Sequence, residues 1–291
     1  MAIWVQLTHQ TLYQYERMVY LSTQLIRLKP TAYCQAVIED YSLTIQPANH
    51  VLHWQQDPFG NFIARVDFLE KVTRLSIQVQ LTANLQSINS FDFLIDEYAL
   101  FFPFEYTDSL QHDLAPYRGA TEHGAYLTQW IGQISHQSRQ ETVSFLINLT
   151  QQVCQAIIYQ VRLQPGVQAA DETLRRSTGS CRDCAWLLVQ LVRKLGLAAR
   201  FVSGYLVELS DSLSDTSTDA TRDSLALHAW TEVYLPGAGW LGLDPTSGMV
   251  VTEAYIPLAS SPDPVGAAVI SGTTDSAQAT LSYSSTVVHL P

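Results

Sequence analysis

The sequence predicts an α+β fold in two parts: an N-terminal antiparallel β-domain, then a core whose central helix packs on an antiparallel sheet. Three features of the 291-residue chain lead there. The first ~110 residues read as strands, with period-2 alternation of apolar and polar side chains at 41–45 and 75–81 and no helical periodicity beyond two turns. Two later segments carry apolar residues at helical spacing. Three strand-like runs follow them. The expected boundaries are 1–112 for the β-domain, 113–258 for the core and 259–291 for a Ser/Thr/Ala-rich C-terminal tail.

In order along the chain, Tyr41, Leu43 and Ile45 alternate with polar residues, as do Leu75, Ile77, Val79 and Leu81. Each set suits a strand with one buried face. Between them, Asp57-Pro58-Phe59-Gly60-Asn61 has the Pro and Gly-Asn chemistry of a turn joining two strands. Aromatic-rich chain at 101–104 and Ala115-Pro116 close the β-domain. Phe145, Leu149, Val153 and Ile157 recur every four residues, predicting an amphipathic helix over 141–158. Over 181–195 apolar residues fall on most sides, as on a helix buried in the core, and Gly196 stands where a left-handed C′ glycine ends one. Strands are expected at 199–207, 228–235 and 240–244. The stretch 208–226 holds five acids against Arg222 alone and reads as a mobile surface loop. The residues from Ala259 onward, without a basic side chain, are expected to drape over the surface or fray.

Composition narrows the partners. The 16 Lys+Arg against 27 Asp+Glu give a net charge of −11, which repels phosphate backbones and anionic lipid. Neither nucleic acid nor a membrane surface is an expected partner. The N-terminal residues lack the basic and apolar regions of a secretory signal, and no apolar run approaches the ~18 residues that span a bilayer. Four cysteines (Cys34, Cys154, Cys181, Cys184) are too few for a disulfide scaffold in a chain of this length. A reducing, cytoplasmic setting is the expectation.

The chemistry concentrates at Gly179-Ser180-Cys181-Arg182-Asp183-Cys184. Ser180 and Asp183 have capping-box spacing, which puts Cys181 in the first turn of the buried helix. Free backbone N–H groups and the positive end of the helix dipole favour a thiolate there, and the same N–H groups suit an oxyanion. His228 opens a strand that Pro236-Gly237-Ala238-Gly239 turns back towards Asp244, so His228 and Asp244 lie on neighbouring strands. In these roles Cys181 attacks, His228 moves the proton and Asp244 fixes the imidazole. A simple turn register brings Asp244 nearer Glu232 than His228, so contact requires twist, a bulge at Gly242, or Asp244 lying just past the paired region. The alternative for Cys181 is a buried structural thiol, and Cys181-x-x-Cys184 also has the spacing of a redox pair or half a zinc site. No second such pair exists and the preceding Gly-Ser is not a thioredoxin context, so Cys184 reads as a small core hydrophobe. Asp183 reads as a cap rather than a catalytic acid, and Trp230, Trp240 and Tyr205 as core or cleft-wall aromatics. The other histidines lack ligand spacing, and Tyr159 is a minor candidate for the oxyanion hole.

At these residues the chain resembles bacterial transglutaminase-like proteins of the papain-like superfamily. The matching motifs are Gly179-Ser180-Cys181-Arg182-Asp183, the run from Leu195 to Leu206, the run from His228 to Gly237, and Gly239-Trp240-Leu241-Gly242-Leu243-Asp244-Pro245-Thr246. Tyr13-Gln14-Tyr15, Arg27-Leu28-Lys29-Pro30 and residues 57–61 resemble the β-domain that precedes the core in bacterial members, so the likeness spans about 1–258. It departs at Cys184, where the family commonly has an aromatic residue, and in the length of the acidic loop. The resemblance implies a catalytic triad of Cys181, His228 and Asp244 acting on a peptide, protein or amide substrate through a thioester, without a cofactor or metal. Hydrolysis of the thioester describes a cysteine protease or amidase, and aminolysis a transglutaminase. The alternative is a non-catalytic peptide-binding or assembly module that retains the fold.

Overall fold

The computed structural model describes residues 3–135, 139–209 and 223–290. The N-terminal part is built from β1 (Trp4–Val19), β2 (Gln24–Ile26), β3 (Val37–Gln46), β4 (His50–Gln56), β5 (Phe62–Phe68) and β6 (Val72–Asn84). Leu75, Ile77, Val79 and Leu81 of β6 are all buried, as their alternation predicts. In the turn before β5, Asp57 Oδ1 accepts from the N–H of Phe59 and of Asn61, and Gly60 takes φ +82°.

The next stretch crosses to the core through β7 (Phe101–Phe102), α1 (Asp108–Asp113), α2 (Ala115–Arg118), α3 (Ala125–Ser135) and β8 (Gln140–Glu141). The expected boundary at 112 falls inside α1, and Tyr106 and Leu114 already belong to the core's apolar cluster. The helix expected over 141–158 is α4 (Thr142–Ala156), capped by the Glu141 carboxylate on the Ser144 N–H. It is followed by β9 (Ile158–Tyr159), α5 (Ala170–Arg176), β10 (Thr178–Gly179) and α6 (Cys181–Lys194). Nearly every residue of α6 is buried. Gly196 ends it at φ +88°, where Leu197 N–H reaches back to the Val192 carbonyl.

The core sheet contains β11 (Ala199–Glu208), β12 (Ser224–Leu235), β13 (Gly239–Asp244), β14 (Met249–Val250) and β15 (Tyr255–Ser261), all antiparallel in the order β14-β13-β12-β11-β15. Ala229, Val233, Leu241 and Leu243 pack in the α6 cluster, while Thr231 Oγ1 donates to the Ala185 carbonyl at 2.8 Å. Gly204 sits opposite His228, where a Cβ would lie 2.4 Å from the Trp230 ring and 2.3 Å from the Ile256 carbonyl. Of the expected acidic loop, positions 210–222 lie outside the described residues.

Of the two expectations for the C-terminal stretch, draping over the surface or fraying, the structure shows an ordered strand on the surface. β15 carries the buried chain past position 259, and β16 (Ile270–Ser271) and β17 (Ala279–His289) return it to the N-terminal sheets. Those sheets run β17-β1-β6-β3 and β16-β2-β5-β4. β17 pairs with β1 over eleven residues, from Val5↔His289 to Tyr15↔Ala279. Its Ser/Thr composition follows from exposure, since the ladder is held by backbone bonds. Among the described residues no helix is long and apolar enough to cross a membrane.

Candidate active site

Cys181 is the first residue of α6 and keeps 9% of its surface exposed. Asp183 organises the turn around it. The Ser180 N–H and hydroxyl both donate to Asp183 Oδ2, at 2.9 and 2.8 Å. The Gln168 N–H reaches Oδ1 at 2.6 Å, and Arg162 forks onto both oxygens at 2.9 and 3.0 Å. Burial opposes the Asp183 charge, but the hydrogen bonds from Arg162, Gln168 and Ser180 outweigh it and lower its pKa. Asp183 is therefore an ionised cap, as its spacing suggests. Cys184, one turn on, is 2% exposed, and burial pushes its thiol up to about 12, aided by the charges of Asp183 and Cys181. It stays protonated and packs as a hydrophobe.

His228 and Asp244 meet because of the hairpin's register. β12 and β13 pair Glu232 with Gly242 and end at Thr231↔Leu243. Asp244 therefore lies one step past the last pair, level with Trp230, and on the same face as His228 two residues away. Of the three routes open in the sequence, this is the one the structure takes. His228 Nε2 and Asp244 Oδ2 are 3.0 Å apart, with both side chains 9% or less exposed. Thr246 Oγ1 lies 3.3 Å from the same ring nitrogen, and Cys181 is near enough to act on the ring's charge. Burial alone would drive the imidazolium pKa down, but the Asp244 hydrogen bond and the charges of Asp244 and Cys181 raise it to about 9. Asp244 answers in the other direction. Burial raises it, and the bond and charge of His228, with two bonds from Thr246, take it down to about 2.

Three groups at this carboxylate had no assigned role in the sequence. The Tyr255 hydroxyl donates to Asp244 Oδ2 at 2.8 Å and the Ser247 hydroxyl to the same oxygen at 3.1 Å. Thr246 donates its N–H and hydroxyl to Oδ1 at 2.8 and 2.7 Å. Tyr255 also stands beside the imidazole, ring centroids 6.0 Å apart, and edge-on to the buried Trp230 at 5.4 Å. Thr246 closes a quoted motif and has a local signal, whereas Tyr255 arrives from another strand with none. Cys154 of α4 donates to the Thr246 carbonyl at 3.2 Å and backs the same loop. Tyr159, raised as a donor to an oxyanion, is 54% exposed next to Gly179. Trp230 and Tyr205 are buried aromatics, as expected.

A thiol beside an imidazole that is hydrogen-bonded to a carboxylate can in principle attack a carbonyl and pass a proton. Comparison with known proteins agrees with that chemistry in kind. Residues 5–84 match the bacterial transglutaminase-like N-terminal region, and residues 128–245 the transglutaminase-like superfamily core. An uncharacterised protein of Mycobacterium tuberculosis is 37% identical over 94 residues, 30% of this chain and 27% of that protein. One of Mycobacterium leprae is 30% identical over 101 residues, 35% of this chain and 34% of that protein. The matched stretch thus spans only about a quarter to a third of the length of these relatives. A Cytophaga hutchinsonii protein designated a cysteine protease has a similar fold, with a TM-score of 0.73 over all of this chain and 92% of that one at 19% identity. Since the two matches fall on the N-terminal β-domain and on the core that holds Cys181, His228 and Asp244, the chain belongs to the transglutaminase-like superfamily, with the bacterial transglutaminase-like N-terminal region ahead of its core.

Proposed function

We propose that this protein performs thiol-dependent acyl transfer from amide or peptide bonds, with Cys181 as nucleophile, His228 as acid and base, and Asp244 as the group that orients the imidazole. The observation that supports it is the His228–Asp244 pair, 3.0 Å apart and beside Cys181, in which the imidazolium is held up to about pH 9. The Cys181 sulfur bonds to the substrate carbonyl carbon, and the C–N bond breaks as the imidazolium proton passes to the leaving amine. A thioester remains. Water then adds to it, giving one proton to His228 and releasing a carboxylic acid and the thiolate. We take water as the acceptor, with a peptide or small amide as donor, because Cys181 keeps some solvent contact at the mouth of the helix. A reducing, cytoplasmic compartment is part of the proposal, in keeping with four unpaired thiols.

The test is incubation of the purified protein with casein and dansylcadaverine, scoring new amino termini and dansyl incorporation. New termini from the wild type and none from Cys181→Ala are expected. Wild-type turnover by Cys181→Ala would end the assignment. Dansyl incorporation without new termini would make the enzyme a transferase, and peptide binding without chemistry a recognition module.

A further inference from the structure

The chain just ahead of the nucleophile is unusually apolar for its exposure. Ile158, Tyr159, Val161 and Leu163 are 70, 54, 65 and 75% exposed, four large hydrophobes within six residues. Such a segment is costly to hold in water, yet this one is firmly fixed. Arg162, between two of them, forks onto buried Asp183 and donates to the Gly166 carbonyl at 2.9 Å. Arg182, the residue after Cys181, donates to the carbonyls of Arg162 and Gln164 at 2.7 and 3.1 Å. Gln168 ties the far end to Asp183 and to the Thr178 carbonyl. The first turn of α6 thus positions the nucleophile and the apolar segment together.

The segment also offers an open strand edge. β9 pairs in parallel with β10, Tyr159 beside Gly179, two residues before Cys181. The pairing uses the N–H groups of Ile158 and Gln160, on the Ser177 and Gly179 carbonyls. By strand alternation the Tyr159 N–H and C=O face the other edge, where no further strand lies among the described residues. An exposed edge of this kind recruits an extended chain, with affinity from main-chain bonds and selectivity from side-chain contacts. Because Tyr159 is paired with Gly179, two residues before Cys181, the edge runs beside the proposed nucleophile.

We propose that residues 158–163 are the acyl-side binding surface, and that the substrate class is an extended peptide carrying an apolar side chain within three residues of the carbonyl delivered to Cys181. This rests on the reading of Cys181 as nucleophile. The net charge of −11 acts in the same direction, disfavouring acidic peptides.

The test uses biotinylated tripeptidyl vinyl sulfones in which one position is varied among Leu, Phe, Ser and Asp. The Cys181 sulfur adds to the vinyl carbon on the peptide side, and the imidazolium proton passes to the carbon beside the sulfone, so nothing leaves. Iodoacetamide, which has no side chains to select, is run in parallel. Leu and Phe probes are expected to label the wild type at least about tenfold faster than Asp probes. In Val161→Asp/Leu163→Asp that ratio should fall to about two or less, with the thermal midpoint showing that the variant is folded. Equal labelling by all four probes, with iodoacetamide still reacting at Cys181, would overturn the binding surface and leave the nucleophile standing. So would a dimer that buries the segment and shows no peptide preference. Failure of iodoacetamide to react at Cys181 would overturn the nucleophile itself, and the binding surface with it.

Discussion

Asp244 receives hydrogen bonds from five atoms: His228 Nε2, the hydroxyls of Tyr255, Ser247 and Thr246, and the Thr246 N–H. A carboxylate so fully occupied cannot swing away from the imidazole or take its proton, which is what an orienting group requires. Asp244→Ala should leave measurable turnover, reduced by about 10²–10⁴-fold, because it removes orientation but neither nucleophile nor proton shuttle. Tyr255→Phe deletes a hydrogen bond to a charged group, an effect of about 1.5–3 kcal/mol, and should lower kcat by about tenfold or more with KM little changed. An unchanged kcat would mean that Tyr255 only fills space. The His228 shift has a defined sign. Because its folded pKa is raised to about 9 from 6.5, the imidazolium contributes stability that is complete below pH 6.5 and lost as pH rises through 9. The alkaline limb of kcat/KM should fall near pH 9, and denaturation midpoints should drop between pH 6.5 and 9 in the wild type but not in His228→Ala.

At the scale of elements, α6 depends on a partner far away in sequence. Asp183 is fully buried and its counter-ion, Arg162, is 18% exposed, so the pair is part of the helix's first turn rather than a surface ornament. Arg162→Ala leaves the carboxylate unpaired, a loss that runs to about 3–5 kcal/mol when both partners are buried. With Arg162 in partial contact with water, about 2–3 kcal/mol is the expected cost, read from the denaturant midpoint, with faster amide exchange in residues 181–184. A change within about 0.5 kcal/mol would show that the Ser180 and Gln168 bonds suffice. This pairing also marks where the sequence stopped being legible. The helix, its cap and its terminal glycine follow from local spacing, as do His228 and Asp244 on one hairpin. Arg162 and Tyr255 carry no local pattern, since each reaches the site through loops or strands whose positions are set by non-local packing. The short helices α3 and α5 escaped for a related reason: two or three turns give periodicity little room to repeat.

Across the whole molecule, the two parts share their apolar interior. Tyr205, Val207, Leu225, Ile256 and Leu258 of the core sheet lie in the same cluster as Val5, Leu7 and Leu81 of the N-terminal sheets. Asn61, fully buried, bridges them with paired bonds to the Ser260 carbonyl and N–H, each at 2.8 Å. Far-UV circular dichroism and tryptophan fluorescence should therefore follow one unfolding transition, and two separated transitions would refute the shared interior. β3 and β6 were readable because their apolar residues alternate towards the more buried face. β17 was not, because its side chains are mostly exposed on both faces and its partner, β1, is more than 260 residues away. Composition alone made that strand look like a tail.

The claim on which the account turns is that His228 holds Cys181 ready to react, and the most direct measurement is the rate of Cys181 alkylation by iodoacetamide at pH 6, wild type against His228→Ala. The account predicts that the wild type reacts at least about tenfold faster, because His228→Ala removes the cation that stands beside the attacking sulfur. Equal rates in the two proteins would contradict it.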